Sequence, residues 1–172
     1  MNKIINIVFV TFFCFVNLVS CGGSSQQRQS EIDIPRSVHG IYLCSSIDSV
    51  VDYLKEKGYK HEILSKEHIY VDLEHSSYEG ISLNLYFVND RCFGIMYQPT
   101  KDRSEFDYMS RKVKNQYPLH DEHKGIGENG DAVLYSYENS LTRICLRTDY
   151  GAIGYYDIKL AKVNRQLHPN DY

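Results

Sequence analysis

Four consecutive side chains, His120-Asp121-Glu122-His123, offer imidazole and carboxylate groups of the kind that hold zinc. Their spacing lacks the helical i, i+4 presentation of a metalloprotease motif, and the run follows Pro118 in a polar stretch. His120 and His123 are therefore candidate metal ligands, set against a solvated loop whose charge changes near neutral pH. Cys145 lies between Arg143 and Arg147 on one strand face, a setting that lowers a thiol pKa. A nucleophilic cysteine also needs a histidine base, and none neighbours it along the chain; a half-exposed strand cysteine is the default reading. Gly125-Ile126-Gly127-Glu128-Asn129-Gly130 matches the dinucleotide fingerprint in its letters. A strand pattern follows it, however, where a pyrophosphate needs a helix N-terminus, so it reads as a glycine loop. No catalytic constellation and no cofactor are expected from these groups.

Tyrosine is the more unusual resource. The chain has 15 tyrosines and no tryptophan, and Tyr70, Tyr86, Tyr135, Tyr137 and Tyr155 fall on predicted strands. A phenol joins a large apolar body to a polar tip, which suits a recognition face, although tyrosine is also a good strand residue. Cys44, Cys92 and Cys145 are the disulfide candidates of the domain. Three thiols allow one bridge and one free group, or three small half-buried apolar residues, and spacing cannot choose the partners.

The elements that must position these groups follow from periodicity. Ile47, Val50, Val51 and Leu54 form an i, i+3, i+4, i+7 stripe, with Ser45 and Asp48 as a capping pair and Gly58 as the stop. A second helix is predicted from about Ser104 to Gln116, with Phe106, Met109, Val113 and Tyr117 in register and Pro118 ending it. Ile69-Val71-Leu73 and Ile81-Leu83-Leu85-Phe87 alternate as strands, flanking a turn at Tyr78-Glu79-Gly80. Asn89-Asp90 reads as a tight hairpin turn into Cys92–Tyr97. Three more strands are predicted at Ala132–Tyr137, Leu141–Thr148 and Ala152–Leu160. A two-residue loop at Asn89-Asp90 puts Phe93, Ile95 and Tyr97 on the face of Tyr86; a three-residue loop puts them on the face of Leu83. The expected fold is α+β: an antiparallel sheet with two helices packed on one face, helix plus three strands, twice. That order resembles duplicated helix-plus-sheet modules such as the β-lactamase inhibitor proteins, a fold-level likeness that implies no function.

Residues 1–20 read as an export signal. Met1-Asn2-Lys3 is a charged start, and Ile4 to Val19 is apolar except for Asn6, Thr11 and Asn17. A membrane span needs about 20 apolar residues, and this run is shorter and ends in small residues. Leu18-Val19-Ser20-Cys21 resembles the lipobox of bacterial lipoproteins. The resemblance implies cleavage after Ser20, diacylglycerol on the Cys21 thiol and acylation of the new amino terminus. Two or three acyl chains anchor stably where one does not.

Residues 21–30, rich in Gly, Ser and Gln, have the composition of a flexible tether; residues 31–163 then form a single domain, and residues 164–172 a polar tail. Gly22 after the lipid cysteine favours the outer membrane, with the domain facing the periplasm. Without Lys3 the mature chain carries 18 basic and 22 acidic side chains, a net charge of −4, which argues against nucleic-acid binding. The expected function is a non-enzymatic binding lipoprotein. It would hold an envelope component or protein on the sheet face away from the helices, for instance as an inhibitor or immunity module. The alternative is a small metal-dependent envelope hydrolase using His120 and His123.

Overall fold

The computed structural model describes residues 33–73, 80–99, 103–127 and 130–169. The signal segment 1–20, Cys21 and the tether 21–30 lie outside the described residues, as do Tyr78, Glu79, Glu128 and Asn129. Among the described residues no helix is long and apolar enough to cross a membrane.

A two-residue hairpin comes first, β1 (Ser37–Val38) and β2 (Ile41–Tyr42), followed by helix α1 (Ile47–Glu56). Four strands follow: β3 (Lys60–Ser65), β4 (His68–Asp72), β5 (Ile81–Val88) and β6 (Arg91–Pro99). Helix α2 (Arg103–Gln116) leads into β7 (Asp121–Gly127), β8 (Gly130–Glu138), β9 (Thr142–Arg147) and β10 (Ala152–Asp157), and helix α3 (Ile158–Leu167) ends the domain. β3 to β10 make one antiparallel sheet in the order β3-β4-β5-β6-β10-β9-β8-β7.

This overturns the expected two helices on one face over helix plus three strands, twice. Among the described residues the sheet has eight strands, a separate hairpin precedes it, and there are three helices. The missing strands, β3 and β7, are the two sheet edges. Their side chains are almost all exposed, so no buried face imposes the period of two that reveals a strand. Charged residues such as Lys60, Glu62, Asp121, Glu122 and Lys124 instead protect open edges from pairing with another chain. The third helix lay inside the predicted strand Ala152–Leu160 and the polar tail. Its signal is Asp157, an N-cap whose Oδ1 accepts from the Leu160 N–H at 2.9 Å.

Local chemistry explains the other elements. In α1 the cap is Ser46, one residue later than expected, accepting from the Ser49 N–H at 3.2 Å. The Tyr59 N–H bonds Leu54 O at 2.9 Å to close that helix. Val50 and Leu54 are buried, each contributing about 1.5–3 kcal/mol.

The hairpin at Asn89-Asp90 resolves the register question in a way neither alternative foresaw. Both residues have positive φ, 48° and 61°, as a two-residue type I′ turn requires, and Phe87 pairs with Cys92. Then Tyr86 pairs with Gly94, so Phe93 is the extra residue of a β-bulge. The bulge restores the phase: Ile95 pairs with Leu85 and Tyr97 with Leu83, on the apolar side, while Phe93 packs near Tyr86 with ring centroids 6.2 Å apart.

Two apolar clusters result. One joins β2 and α1 to β4, β5 and β6 around Leu54, Ile69, Leu85 and Ile95. The other joins Ile34 and α2 to β8, β9 and β10 around Phe106, Val113, Leu146 and Ile153. Directly paired residues share a side of the sheet, so Tyr97 stands beside Ile153, and Ile95 beside Tyr155. Helix α3 lies against β5, β6 and β10 and supplies no residue to either cluster.

Candidate functional site

Where the two clusters meet, a cleft of about 430 Å³ opens between the β1–β2 hairpin and α2. Its volume falls in the range of small-ligand sites, which run from about 300 to 1,000 Å³. Tyr97 from β6 and Ile153 and Tyr155 from β10 line it from the sheet; Val38 and His39 line it from the hairpin. Helix α2 supplies Met109, Lys112, Val113 and Gln116, a run at i, i+3, i+4 and i+7 that presents one stripe of the helix.

His39 is held by a tight turn. His39 and Gly40 connect two paired strands, with φ of 50° and 80° in a type I′ turn. The Tyr53 hydroxyl of α1 donates to His39 O at 2.9 Å, and a β-carbon at Gly40 would overlap that hydroxyl. The His39 ring stacks on Tyr97, centroids 5.9 Å apart and planes 13° from parallel. Burial pushes the imidazole below its ordinary pKa, with Glu105 pulling weakly the other way, so the ring is neutral at pH 7.

Tyr97 donates to Glu105 Oε1 at 2.6 Å, and burial, reinforced by that bond, pushes its phenol far above the ordinary value. Burial, with the neighbouring Tyr117 acting in the same direction, raises the Tyr155 phenol to about 12. These hydroxyls are hydrogen-bond donors at any physiological pH.

Beneath the hairpin lies a compact polar knot. Arg36 Nη2 contacts Asp157 Oδ2 at 2.6 Å and Cys44 Sγ at 3.2 Å; the Cys44 thiol in turn donates to Asp157 Oδ2 at 3.2 Å. Arg36 Nη1 also donates to Thr142 Oγ1 at 3.1 Å. Burial draws the Asp157 carboxyl upward, but hydrogen bonds from Arg36, the Leu160 N–H and Cys44 outweigh it and hold the group below the usual carboxylate range. Arg36 follows Pro35 and precedes Ser37, both lining the cleft, so this knot fixes one cleft wall to the end of β10.

The residues singled out from sequence are distributed over several places. Tyr155 lines the cleft. Tyr135 and Tyr137 belong to the α2 cluster, Tyr137 being only 3% exposed. Tyr70 and Tyr86 alternate with Ile69, Val71, Leu85 and Phe87, which places them on the reverse side of the sheet, where Tyr86 stacks with His68.

His120 and His123 are each engaged with a different carboxylate: His120 Nε2 lies 3.1 Å from Glu138, and His123 Nε2 lies 2.7 Å from Asp121. Among the described residues, no group of three or more His, Cys, Asp or Glu is arranged to hold a metal ion. Cys145 is a partly exposed strand cysteine on β9, and burial raises its thiol to about 11, more than Arg143 lowers it, so the arginines do not activate it. Cys92 is raised to about 12 by burial, and Cys44, Cys92 and Cys145 are all free thiols. Gly125 and Gly127 close β7 and Gly130 opens β8, a strand-to-strand connection.

Sequence reading missed His39, Tyr97, Lys112 and Gln116 as site residues. The signals available were the Val38-His39-Gly40-Ile41 turn and the polar flank of α2 beside its apolar stripe. Comparison of the chain with protein-family models, curated proteins and solved structures finds no match.

Proposed function

We propose that this chain is a membrane-anchored envelope lipoprotein whose domain is a non-enzymatic binding module, with the cleft between the β1–β2 hairpin and α2 as its binding site. The observation that carries this reading is the convergence of Tyr97, Ile153, Tyr155, Met109 and the neutral His39 on one opening of ligand size. It moves the expected binding surface from the reverse side of the sheet to the seam between the two clusters. An outer-membrane, periplasm-facing position accords with the lipobox and Gly22.

Anchoring and binding are tested separately. Cys21→Ser is expected to move the protein from the carbonate-washed membrane pellet to the soluble fraction with an unchanged thermal unfolding midpoint. A variant still in the pellet would remove the lipid anchor from the proposal. For binding, crosslinked capture from native membranes compares the wild type with Met109→Glu, which puts a charge into the apolar wall. Envelope components retained by the wild type are expected to be lost by a folded Met109→Glu protein; identical capture by both places binding elsewhere.

A further inference from the structure

From the chemistry of the cleft, and resting on the binding reading above, we propose that its ligand is a small molecule with a flat apolar ring body and a single anionic group. The body would lie among the side chains of Tyr97, Tyr155, Ile153, Met109 and Val38, which supply apolar and aromatic surface in the lining. Aromatic walls favour a ring, because ring stacking and edge contacts add to simple area burial.

The anionic group follows from the charges at the opening. Lys112 is exposed on α2 and is the one residue with a full charge among the described residues lining the cleft. His39, the other titratable nitrogen there, is neutral at pH 7, and Glu105 beyond it is engaged by the Tyr97 hydroxyl. A cationic ligand would therefore meet Lys112 with no opposing carboxylate in the lining. A carboxylate or sulfonate meets an ammonium instead, together with the hydroxyl and amide donors of Tyr155, Ser37 and Gln116. Because Lys112 is exposed, its contact steers and selects without dominating affinity.

The test uses methionine methyl resonances of the full lipidated chain, which report on the cleft whatever the surrounding detergent or lipid. Met109 lines the cleft, and Met96, which pairs with Asn84 and Gly154 outside it, is the internal control. The probes are 2-naphthoate and its neutral counterpart 2-naphthamide. Saturable movement of the Met109 signal, with Met96 unmoved, is expected for both, with naphthoate binding more tightly. Lys112→Gln is expected to weaken naphthoate about threefold to fivefold and leave naphthamide unchanged, with Lys112→Arg restoring the difference. If Lys112→Gln affects both probes alike, or neither, the anionic preference is overturned while the cleft stands as a binding site. If neither probe moves Met109, the cleft reading itself falls.

Discussion

Phe93→Ala is expected to leave a folded domain less stable by about 3–5 kcal/mol, and deleting Phe93 should leave a domain that still unfolds cooperatively, with the same strand pairing. The two changes remove the same side chain, yet they act at different levels. Phe93 is 8% exposed and packs near Tyr86, so its truncation leaves a cavity and nothing more. Its deletion also removes the extra residue of the β-bulge, and the ladder then runs on regularly from the Phe87–Cys92 pair to the Tyr86–Gly94 pair. Ile95 and Tyr97 stay opposite Leu85 and Leu83 on the apolar side, and only the local bend and twist of the bulge are lost. Thermal melts followed by circular dichroism distinguish these outcomes. A deletion variant that melts sharply, near the temperature of Phe93→Ala, is expected; one without a cooperative transition would show that the bulge itself is needed for folding.

Asp157 is the second position of large effect. Asp157→Ala is expected to cost about 3–4 kcal/mol: roughly 1 for the lost cap of α3 and the rest for the stranded Arg36. That second part, about 2–3 kcal/mol, lies below the range for a fully buried broken pair because the Arg36 side chain is 31% exposed against 8% for Asp157, and can still reach water. Asp157→Asn keeps a capping oxygen and should lose only the charge-dependent share, about 2–3 kcal/mol.

The pH dependence has a defined sign. The carboxyl is held below its ordinary range in the folded protein, so its contribution is complete above about pH 4, the unfolded value, and is lost as pH falls through the lower folded value. The gap between the wild type and Asp157→Asn in urea titrations should be constant from pH 7 to 5 and should close below pH 4. A gap that persists unchanged at pH 2 would mean that the Arg36 pairing contributes nothing.

How much of this was legible in the sequence depends on whether burial leaves a periodic trace. α1, α2 and the inner strands could be read because Val50 and Leu54, Phe106 and Val113, or Leu83 and Leu85 repeat at the spacing of the face they bury. The edge strands bury neither face. Lys60–Ser65 and Asp121–Gly127 exist because β4 and β8 offer them hydrogen bonds, a tertiary cause without a local pattern. Helix α3 was hidden because Tyr156-Asp157-Ile158-Lys159-Leu160 continues the alternation of β10 and only the cap breaks it. The cleft was illegible for a related reason. His39, Tyr97, Lys112 and Tyr155 are far apart along the chain and meet only because β10 inserts beside β6. Tyr155 was picked out for its residue type; its partners carried no comparable mark.

The position of the cleft also bears on how the protein comes apart. Its lining draws Val38 and Tyr97 from one apolar cluster and Val113, Ile153 and Tyr155 from the other, so a bound molecule acts as a keystone across two cores. Any ligand that requires both halves in place adds its binding free energy to the folded state, about 2.7 kcal/mol at a hundredfold excess over its Kd. An occupied domain would resist local opening at the hairpin and at α2 together, and an empty one would loosen first along that seam. In the envelope position proposed above, lifetime would then become a readout of occupancy.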